Sequence, residues 1–205
     1  MSPRVSVCIP TYNGERYLAS TLQSALSQTY TDYEIVIVDD CSSDGSLRLL
    51  EAIDHPRVRL ERNEQNRGPA ATWNRAVSLA RGELVKLLCQ DDLIYPRALQ
   101  EAVDAFRADP TIVLSSSRRD VIDEQGSVIF PGRGSRRLRG VVDGRAAIRA
   151  VARSGTNPIG EPSVTLFRRD VFDEVGGFSP RELYMIDVEL WIRLLDRGNL
   201  STGKT

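Results

Sequence analysis

The segment Leu87-Leu88-Cys89-Gln90-Asp91-Asp92 is a short apolar run that ends in two adjacent carboxylates. Residues 83–88 predict a β-strand, and Pro96 predicts the start of a helix. Asp91 and Asp92 would then lie where a strand leaves its sheet, which is the ligand crevice of an open α/β fold. Neighbouring carboxylates repel each other unless they share a cation or a proton, and Mg2+ is typically held by one or two carboxylates plus phosphate oxygens. The pair therefore indicates either a metal and phosphate site or an ordinary turn or helix cap.

The composition is typical of one globular domain in a reducing compartment. The chain has 205 residues, and 27 Lys and Arg against 28 Asp and Glu leave a net charge of -1, which argues against nucleic acid as a partner. The three cysteines lack paired metal-ligand spacing, and Cys8 reads as a small buried hydrophobe. The apolar run at residues 5–9 is too short for a signal peptide, and no stretch reaches the length of a membrane span. We expect a cytoplasmic protein.

Strands alternate with helices in the first half of the sequence, which predicts an α/β fold with a mostly parallel sheet. The predicted strands are residues 5–9, 33–38, 58–61 and 83–88, and the helical patterns lie at about 17–26, 42–53, 69–81 and 96–108.

The pattern changes after residue 114. Residues 121–129 predict a hairpin with its turn near Gly126, and residues 132–140, rich in Gly and Arg, predict a mobile loop. A helix at 144–153, a strand at 163–167 and helical stretches near Arg169 and Asp187 complete the prediction, with no further strand expected after Asp187. We see no linker that separates two domains.

Polar residues follow the first two predicted strands. Ile9-Pro10-Thr11-Tyr12-Asn13-Gly14 ends one and Val38-Asp39-Asp40-Cys41-Ser42-Ser43-Asp44-Gly45 ends the other. Adjacent parallel strands bring both ends to the same edge of the sheet, where amides, carboxylates and hydroxyls would hold a nucleoside. The sequence lacks the G-x-G-x-x-G motif of dinucleotide-binding proteins, so dinucleotide binding has no support. Ser42 and Ser43 read as turn residues, whereas Asp39 and Asp40 together favour a binding role.

These segments resemble those of the family 2 inverting glycosyltransferases, which have the GT-A fold. The resemblance extends from strand one to the Asp187 region, in the family's order. It is carried by residues 5–13, 34–44, 66–68, 91–96, 176–178 and 187–193. It implies a Rossmann-like sheet with a smaller mixed acceptor-side region, and a single domain with a nucleotide-sugar half at about 1–115 and an acceptor half at about 116–205, truncated at its carboxyl terminus.

The resemblance also implies roles for individual residues. The base and ribose pocket would be lined by Pro10, Thr11, Tyr12 and Glu15, with Asp40 on the nucleobase, Asp39 orienting it, and Arg67, Gly68 and more weakly Asn74 near the nucleotide. Asp92 would be the direct ligand of Mn2+ or Mg2+, with Asp91 beside it on the metal, the ribose or the sugar. Asp187 would be the catalytic base, although as a residue alone it also reads as a helix N-terminal carboxylate. Cys89 stands where the family often has Asp, and a thiol is a poor ligand for a hard cation.

The implied reaction moves a sugar from a nucleotide-diphosphate sugar, most simply a UDP-sugar, to a saccharide or lipid-linked saccharide acceptor in surface polysaccharide synthesis. Membrane contact would be at most peripheral, at the inner face. Two alternatives stay open: a catalytically inactive nucleotide-sugar-binding module, and a nucleotidyltransferase, which would want a Gly-rich phosphate loop after strand one. The arginines at 133, 136, 137 and 139 read as a solvated loop or a contact to an anionic group. Residues 198–205 fit the P-loop pattern, but a P-loop lies between a strand and a helix, so we discount the match.

Overall fold

The computed structural model describes residues 2–134, 138–181 and 184–203. Four parallel strands form the amino-terminal half of its main sheet: β1 (Val5–Thr11), β2 (Tyr33–Asp39), β3 (Val58–Arg62) and β4 (Leu84–Leu87). The first two are apolar on both faces, as a parallel strand between two layers of helices requires. The parallel strands predicted from the sequence are confirmed, each within a few residues.

The carboxyl-terminal half contributes further strands to the same sheet. They are β5 (Ile112–Ser116), β8 (Gly140–Val142), β9 (Thr165–Arg168) and β10 (Asn199–Thr202), and the strand order is β3-β2-β1-β4-β9-β5-β10-β8. β9 runs antiparallel between β4 and β5, so the two halves of the chain share one sheet. A separate hairpin consists of β6 (Arg119–Ile122) and β7 (Val128–Arg133), which confirms the predicted hairpin.

Helices cover both faces of the sheet. Residues of α1 (Leu18–Leu26), α2 (Ser46–Glu51) and α4 (Ala98–Ala108) pack into one buried cluster. Residues of α3 (Pro69–Ser78), α5 (Gly144–Ser154), α6 (Arg169–Val175) and α7 (Ile186–Leu195) pack into the other. Cys8 is fully buried in the second cluster, as predicted. Within the described residues, the helices are all too short or too polar to span a membrane.

Three details differ from the sequence prediction. Strand β10 follows α7, although no strand was expected there, and it occupies residues 199–202 of the discounted P-loop match. The predicted strand at 163–167 is instead a 3-10 turn, Pro162–Val164, followed by β9, because Pro162 sets the backbone for a turn. The predicted loop at 132–140 is shorter, since β7 extends to Arg133 and β8 begins at Gly140; residues 135–137, with Arg136 and Arg137, lie outside the described residues.

Candidate functional site

The carboxyl ends of β1 and β2 hold two buried oxygen atoms that lack hydrogen-bond partners among the described residues. Thr11 lies opposite Asp39 in the strand register, directly after the pair Pro10 and Val38. The Thr11 hydroxyl and Oδ1 of Asp39 are the unpartnered atoms, and both residues are buried. The other Asp39 oxygen accepts from the Ser42 N–H at 3.1 Å and lies 3.5 Å from Nε of Arg62. A buried polar group without a partner is costly, so these two atoms fit a ligand with polar edges.

Asp40 anchors the loop before α3. One of its oxygens accepts from Nδ2 of Asn63 at 2.6 Å and from the Arg67 N–H at 2.9 Å, and the other accepts from the Gly68 N–H at 3.0 Å. Gly68 has a φ of +79°, a conformation that glycine adopts readily. The Arg67 side chain is exposed. Asp40 therefore brings residues 67 and 68 to the edge of β2, close to the unpartnered atoms.

Hydrogen bonds from neighbouring strand ends fix the loop after β1. The side-chain amide of Gln90 accepts from the Tyr12 N–H at 2.7 Å and donates to the Tyr12 carbonyl at 2.9 Å. Glu15 accepts from the Gly45 N–H at 2.9 Å, and Ser42 Oγ accepts from the Asn13 N–H at 3.0 Å. The Tyr12 ring stays half exposed at this edge. Ser42 and its neighbour thus serve the loop geometry, in line with the turn interpretation.

Asp91 and Asp92 lie next to this edge, four and five residues after β4 ends at Leu87. Asp91 is exposed, while Asp92 is half-buried. Burial raises the pKa of Asp92, and the carboxylates of Asp91 and Glu161 raise it further, against a hydrogen bond with Ser163 that lowers it. A surplus of negative charge of this kind fits a cation. Among the described residues, no three Asp, Glu, His or Cys side chains converge on one ion position, so the protein would supply one or two ligands and the substrate or water the rest.

A buried lysine lies beneath Asp92. Nζ of Lys86 donates to the carbonyls of Ser163 at 2.6 Å and Thr165 at 3.2 Å. Burial lowers the pKa of Lys86 to about 8, and the nearby Asp92 carboxylate partly offsets the shift. Burial also raises the pKa of the Cys89 thiol to about 12, so the thiol is neutral. Ser163 Oγ accepts from the Cys89 N–H at 2.9 Å and joins these groups.

Asp187 lies in the first turn of α7. Its Oδ2 accepts from Nδ2 of Asn157 at 2.7 Å, and its Oδ1 accepts from the Val188 N–H at 2.8 Å. Burial raises the pKa of Asp187 against these hydrogen bonds, and Glu161 raises it further. Glu161 also raises the pKa of Asp92, so it lies within electrostatic reach of both carboxylates. A carboxyl group with a raised pKa is suited to accept a proton.

The structure brings most of the predicted residues to one edge of the sheet, but the Asn74 side chain is hydrogen-bonded to another segment. Its amide donates to the Phe178 carbonyl and accepts from the Phe178 N–H, both at 2.8 Å, so it fixes the 177–178 segment. The sequence analysis missed several supporting residues. A lysine inside an otherwise apolar strand was a sequence signal from which a role for Lys86 could have been predicted. The missed residues are Lys86, Gln90 and Ser163.

Comparison with known sequences identifies the family. Residues 6–176 match the model of glycosyl transferase family 2. The chain is 34% identical over 204 residues to the uncharacterized protein MT1568 of Mycobacterium tuberculosis, covering 96% of this chain and 63% of that protein. It is 39% identical over 132 residues to the chondroitin synthase of Escherichia coli, covering 63% of this chain and 19% of that enzyme. The chain thus spans less than two thirds of both relatives.

Two solved structures share the fold. Staphylococcus aureus TarS 1-349, in complex with UDP-GlcNAc, superposes with a TM-score of 0.75 at 23% identity, covering all of this chain and 59% of that one. The mannosyltransferase PcManGT from Pyrobaculum calidifontis, in complex with GDP-Man and Mn2+, superposes with a TM-score of 0.72 at 25% identity, covering all of this chain and 55% of that one. The predicted GT-A fold is confirmed. With the family model matched over most of its length, the chain belongs to glycosyltransferase family 2, a family of transferases.

Proposed function

We propose that this domain binds a nucleotide-diphosphate sugar and transfers its sugar, with inversion, to an acceptor hydroxyl. One observation carries the proposal: Asp91 and Asp92 follow β4, which pairs in parallel with β1, so they lie at the same edge of the sheet as the unpartnered oxygens of Thr11 and Asp39. The relationship to a chondroitin synthase supports a role in surface polysaccharide or glycoconjugate synthesis. We place the reaction in the cytoplasm, with at most peripheral contact at the inner face of the membrane.

The unpartnered atoms define the base of the donor site. Asp39 Oδ1 is an acceptor without a donor, whereas both oxygens of Asp40 already accept from residues 63, 67 and 68. The sequence resemblance implies Asp40 on the nucleobase with Asp39 orienting it. The unpartnered oxygen leads us to propose the reverse, with Asp39 as the nucleobase contact and Asp40 as the support of the 67–68 loop. Uracil and guanine each offer a ring N–H to such a carboxylate, and cytosine does not. A UDP-sugar remains our first candidate, supported by the UDP-GlcNAc complex of TarS.

A divalent ion fits beside Asp92. In our proposal Asp92 holds Mn2+ or Mg2+ directly, and Asp91 contacts the metal, the ribose or the sugar. The bound ion would neutralise the negative charge that gathers on the leaving nucleoside diphosphate. The Mn2+ in the PcManGT complex supports this assignment. Lys86 holds Ser163 below the carboxylates and keeps Asp92 near a fixed positive charge.

Asp187 is the proposed general base. Inversion requires a base that removes the acceptor proton as the hydroxyl attacks the anomeric carbon in line. Asn157 holds the Asp187 carboxylate in place. Since burial raises the pKa of Asp187, the base is ionised only above that raised pKa, and transfer should increase as pH rises through it.

Calorimetric titration with UDP, GDP, CDP and dTDP, each with and without Mn2+, tests the proposal on wild type, Asp92→Ala and Asp187→Asn. We expect metal-dependent binding of one nucleotide. Asp92→Ala should weaken it by at least about tenfold, or about 1.4 kcal/mol. Asp187→Asn should bind like wild type but abolish transfer from the matching nucleotide sugar.

The outcomes separate the proposal from its rivals. Binding without wild-type turnover would support the inactive nucleotide-sugar-binding module. Unchanged turnover in Asp187→Asn would remove Asp187 as the base. If none of the four nucleotides binds under any metal condition, the proposed donor site is wrong.

A further inference from the structure

A large apolar cavity adjoins the proposed transfer site. It has a volume of about 910 Å³ and lies between residues 91–98 and the β6–β7 hairpin. Asp91, Asp92, Glu161 and Ser163 line one end of it. A volume of this size is at the upper end of the range for small-molecule sites, and it exceeds what one sugar ring needs.

Apolar side chains line the cavity and are left open to solvent. Leu93, Tyr95 and Val128 are each about half exposed, at 48%, 56% and 50%. Beyond the cavity, strand β7 continues from Val128 to Ile129 and Phe130, which are also half exposed. Exposed apolar side chains that line one cavity favour a binding site there.

The cavity lining carries both signs of charge: the carboxylates of Asp91, Asp92, Glu101, Asp120 and Glu161, and the cations of Lys86, Arg97, Arg118 and Arg119. Arg119 pairs with Glu161 at 2.7 Å, and Arg97 lies 3.5 Å from Glu101. Arg118 also lines the cavity, yet it pairs with no carboxylate in residues 2–134, 138–181 and 184–203. A guanidinium without a carboxylate partner is well suited to a phosphate, to which it donates in a fork.

We propose that this cavity binds the acceptor, and that the acceptor is a saccharide joined through a phosphate to an apolar lipid chain. The inference rests on the proposed function, and it selects the lipid-linked saccharide over the free saccharide. The sugar end lies beside Asp92 and Glu161, Arg118 binds the phosphate, and the lipid chain lies on Leu93, Tyr95 and Val128 toward Phe130. A free saccharide would leave these apolar walls uncovered.

Farnesyl diphosphate is a suitable probe because it combines an anionic head with an apolar chain. Its binding is measured by calorimetry in the presence of the saturating nucleotide and Mn2+, so that the donor site is already filled. Farnesol and inorganic diphosphate are titrated in parallel, because farnesol carries only the apolar chain and inorganic diphosphate only the anionic head. We expect farnesyl diphosphate to bind at least about tenfold more tightly than either.

Matched variants locate the site. Val128→Asp and Arg118→Gln should each weaken farnesyl diphosphate binding by about tenfold. The controls are Val141→Asp, which is 52% exposed on β8 outside the cavity, and Arg149→Gln on the exposed face of α5; both should bind like wild type. Nucleotide binding should be unchanged in all four variants.

Several results would overturn the inference while leaving the proposed function intact. One is nucleotide binding with no binding of farnesyl diphosphate, and another is its binding only by displacing the nucleotide. Equal binding of farnesol would remove the phosphate contact. Self-association in sedimentation velocity that Val128→Asp abolishes, without lipid binding, would show that a second copy covers this face. Failure of all nucleotides to bind would instead count against the proposed function.

Discussion

Lys86 is buried where its strand neighbours are apolar. Val85 and Leu87 pack into one cluster, while Leu84 and Leu88 pack into the other, so Lys86 shares a face with two leucines. Burying an ammonium ion is expensive unless it is hydrogen-bonded, and the carbonyls of Ser163 and Thr165 supply only two of three possible bonds. Lys86 therefore destabilises the fold, but it supplies a positive charge near the carboxylates of the proposed site.

The pH dependence of the unfolding free energy should reveal this destabilisation by Lys86. The pKa of Lys86 falls from 10.5 to about 8 on folding, so between these values the unfolded chain binds a proton that the folded chain does not. The unfolding free energy of wild type should then rise with pH through this window, while below it the full penalty applies. Relative to Lys86→Met, the rise should approach about 3 kcal/mol, since each pKa unit is worth 1.36 kcal/mol.

Urea denaturation of both proteins across the window measures this difference, in which the other titrating groups cancel. A difference that stays constant with pH would mean that Lys86 keeps an ordinary pKa in the fold.

At the scale of the element, Gly68 determines how the chain enters α3. Its backbone, with φ +79° and ψ 170°, lies in a region that is essentially restricted to glycine, and Pro69 begins the helix directly after it. In this conformation the Gly68 N–H donates to Asp40 at 3.0 Å and to Oδ1 of Asn66 at 3.1 Å. A Cβ at this position would meet no atom within 4 Å, so the requirement is conformational and not steric.

Gly68→Ala should therefore lower both stability and nucleotide affinity. We expect a loss of about 1–3 kcal/mol in unfolding free energy, together with weaker nucleotide binding because Asp40 loses its hold on the loop. Gly155→Ala is the matched control, since Gly155 has a φ of +61° at the end of α5, also with open space around it. That variant should lose stability but bind nucleotide normally, as calorimetry and chemical denaturation will show.

The predictability of the elements follows from the range of the forces that form them. Local patterns predicted β1, β2 and the hairpin well, because period and turn residues act over a few positions. The partner of a strand is a long-range property, so nothing near Thr165 indicates that β9 lies between β4 and β5. Likewise, the sequence predicted that Asp39 and Asp40 follow a strand, but the different tasks that we propose for them rest on contacts that only the structure shows.

At the scale of the whole molecule, one glycine controls how the carboxyl-terminal elements dock. Gly144 begins α5 and lies against the backbone carbonyls of Leu195 and Gly198, with no room for a Cβ. This contact holds α5 against the segment that joins α7 to β10, and α7 carries Asp187.

Gly144→Ala should destabilise the fold by at least about 3 kcal/mol, because backbone atoms cannot move aside as a flexible side chain can. The exposed neighbour Arg145→Ala, in the same helical turn, should change the stability by about 0.5 kcal/mol or less. Thermal unfolding of the two variants distinguishes a specific backbone contact from general sensitivity of this helix. Equal stability of the two would contradict the docking described here.

The insertion of β9 also imposes an order in time on the assembly of the sheet. β1, β2, β3 and β4 pair with one another, so they can join as soon as residue 87 is available. β5 pairs only with β9 and β10 among the described strands, and β9 begins at residue 165. A chain growing from its amino terminus therefore carries β5 with both edges open until about 50 more residues have been made. The edge that we propose to bind the nucleotide forms early, and β9 and the elements around Asp187 join it later.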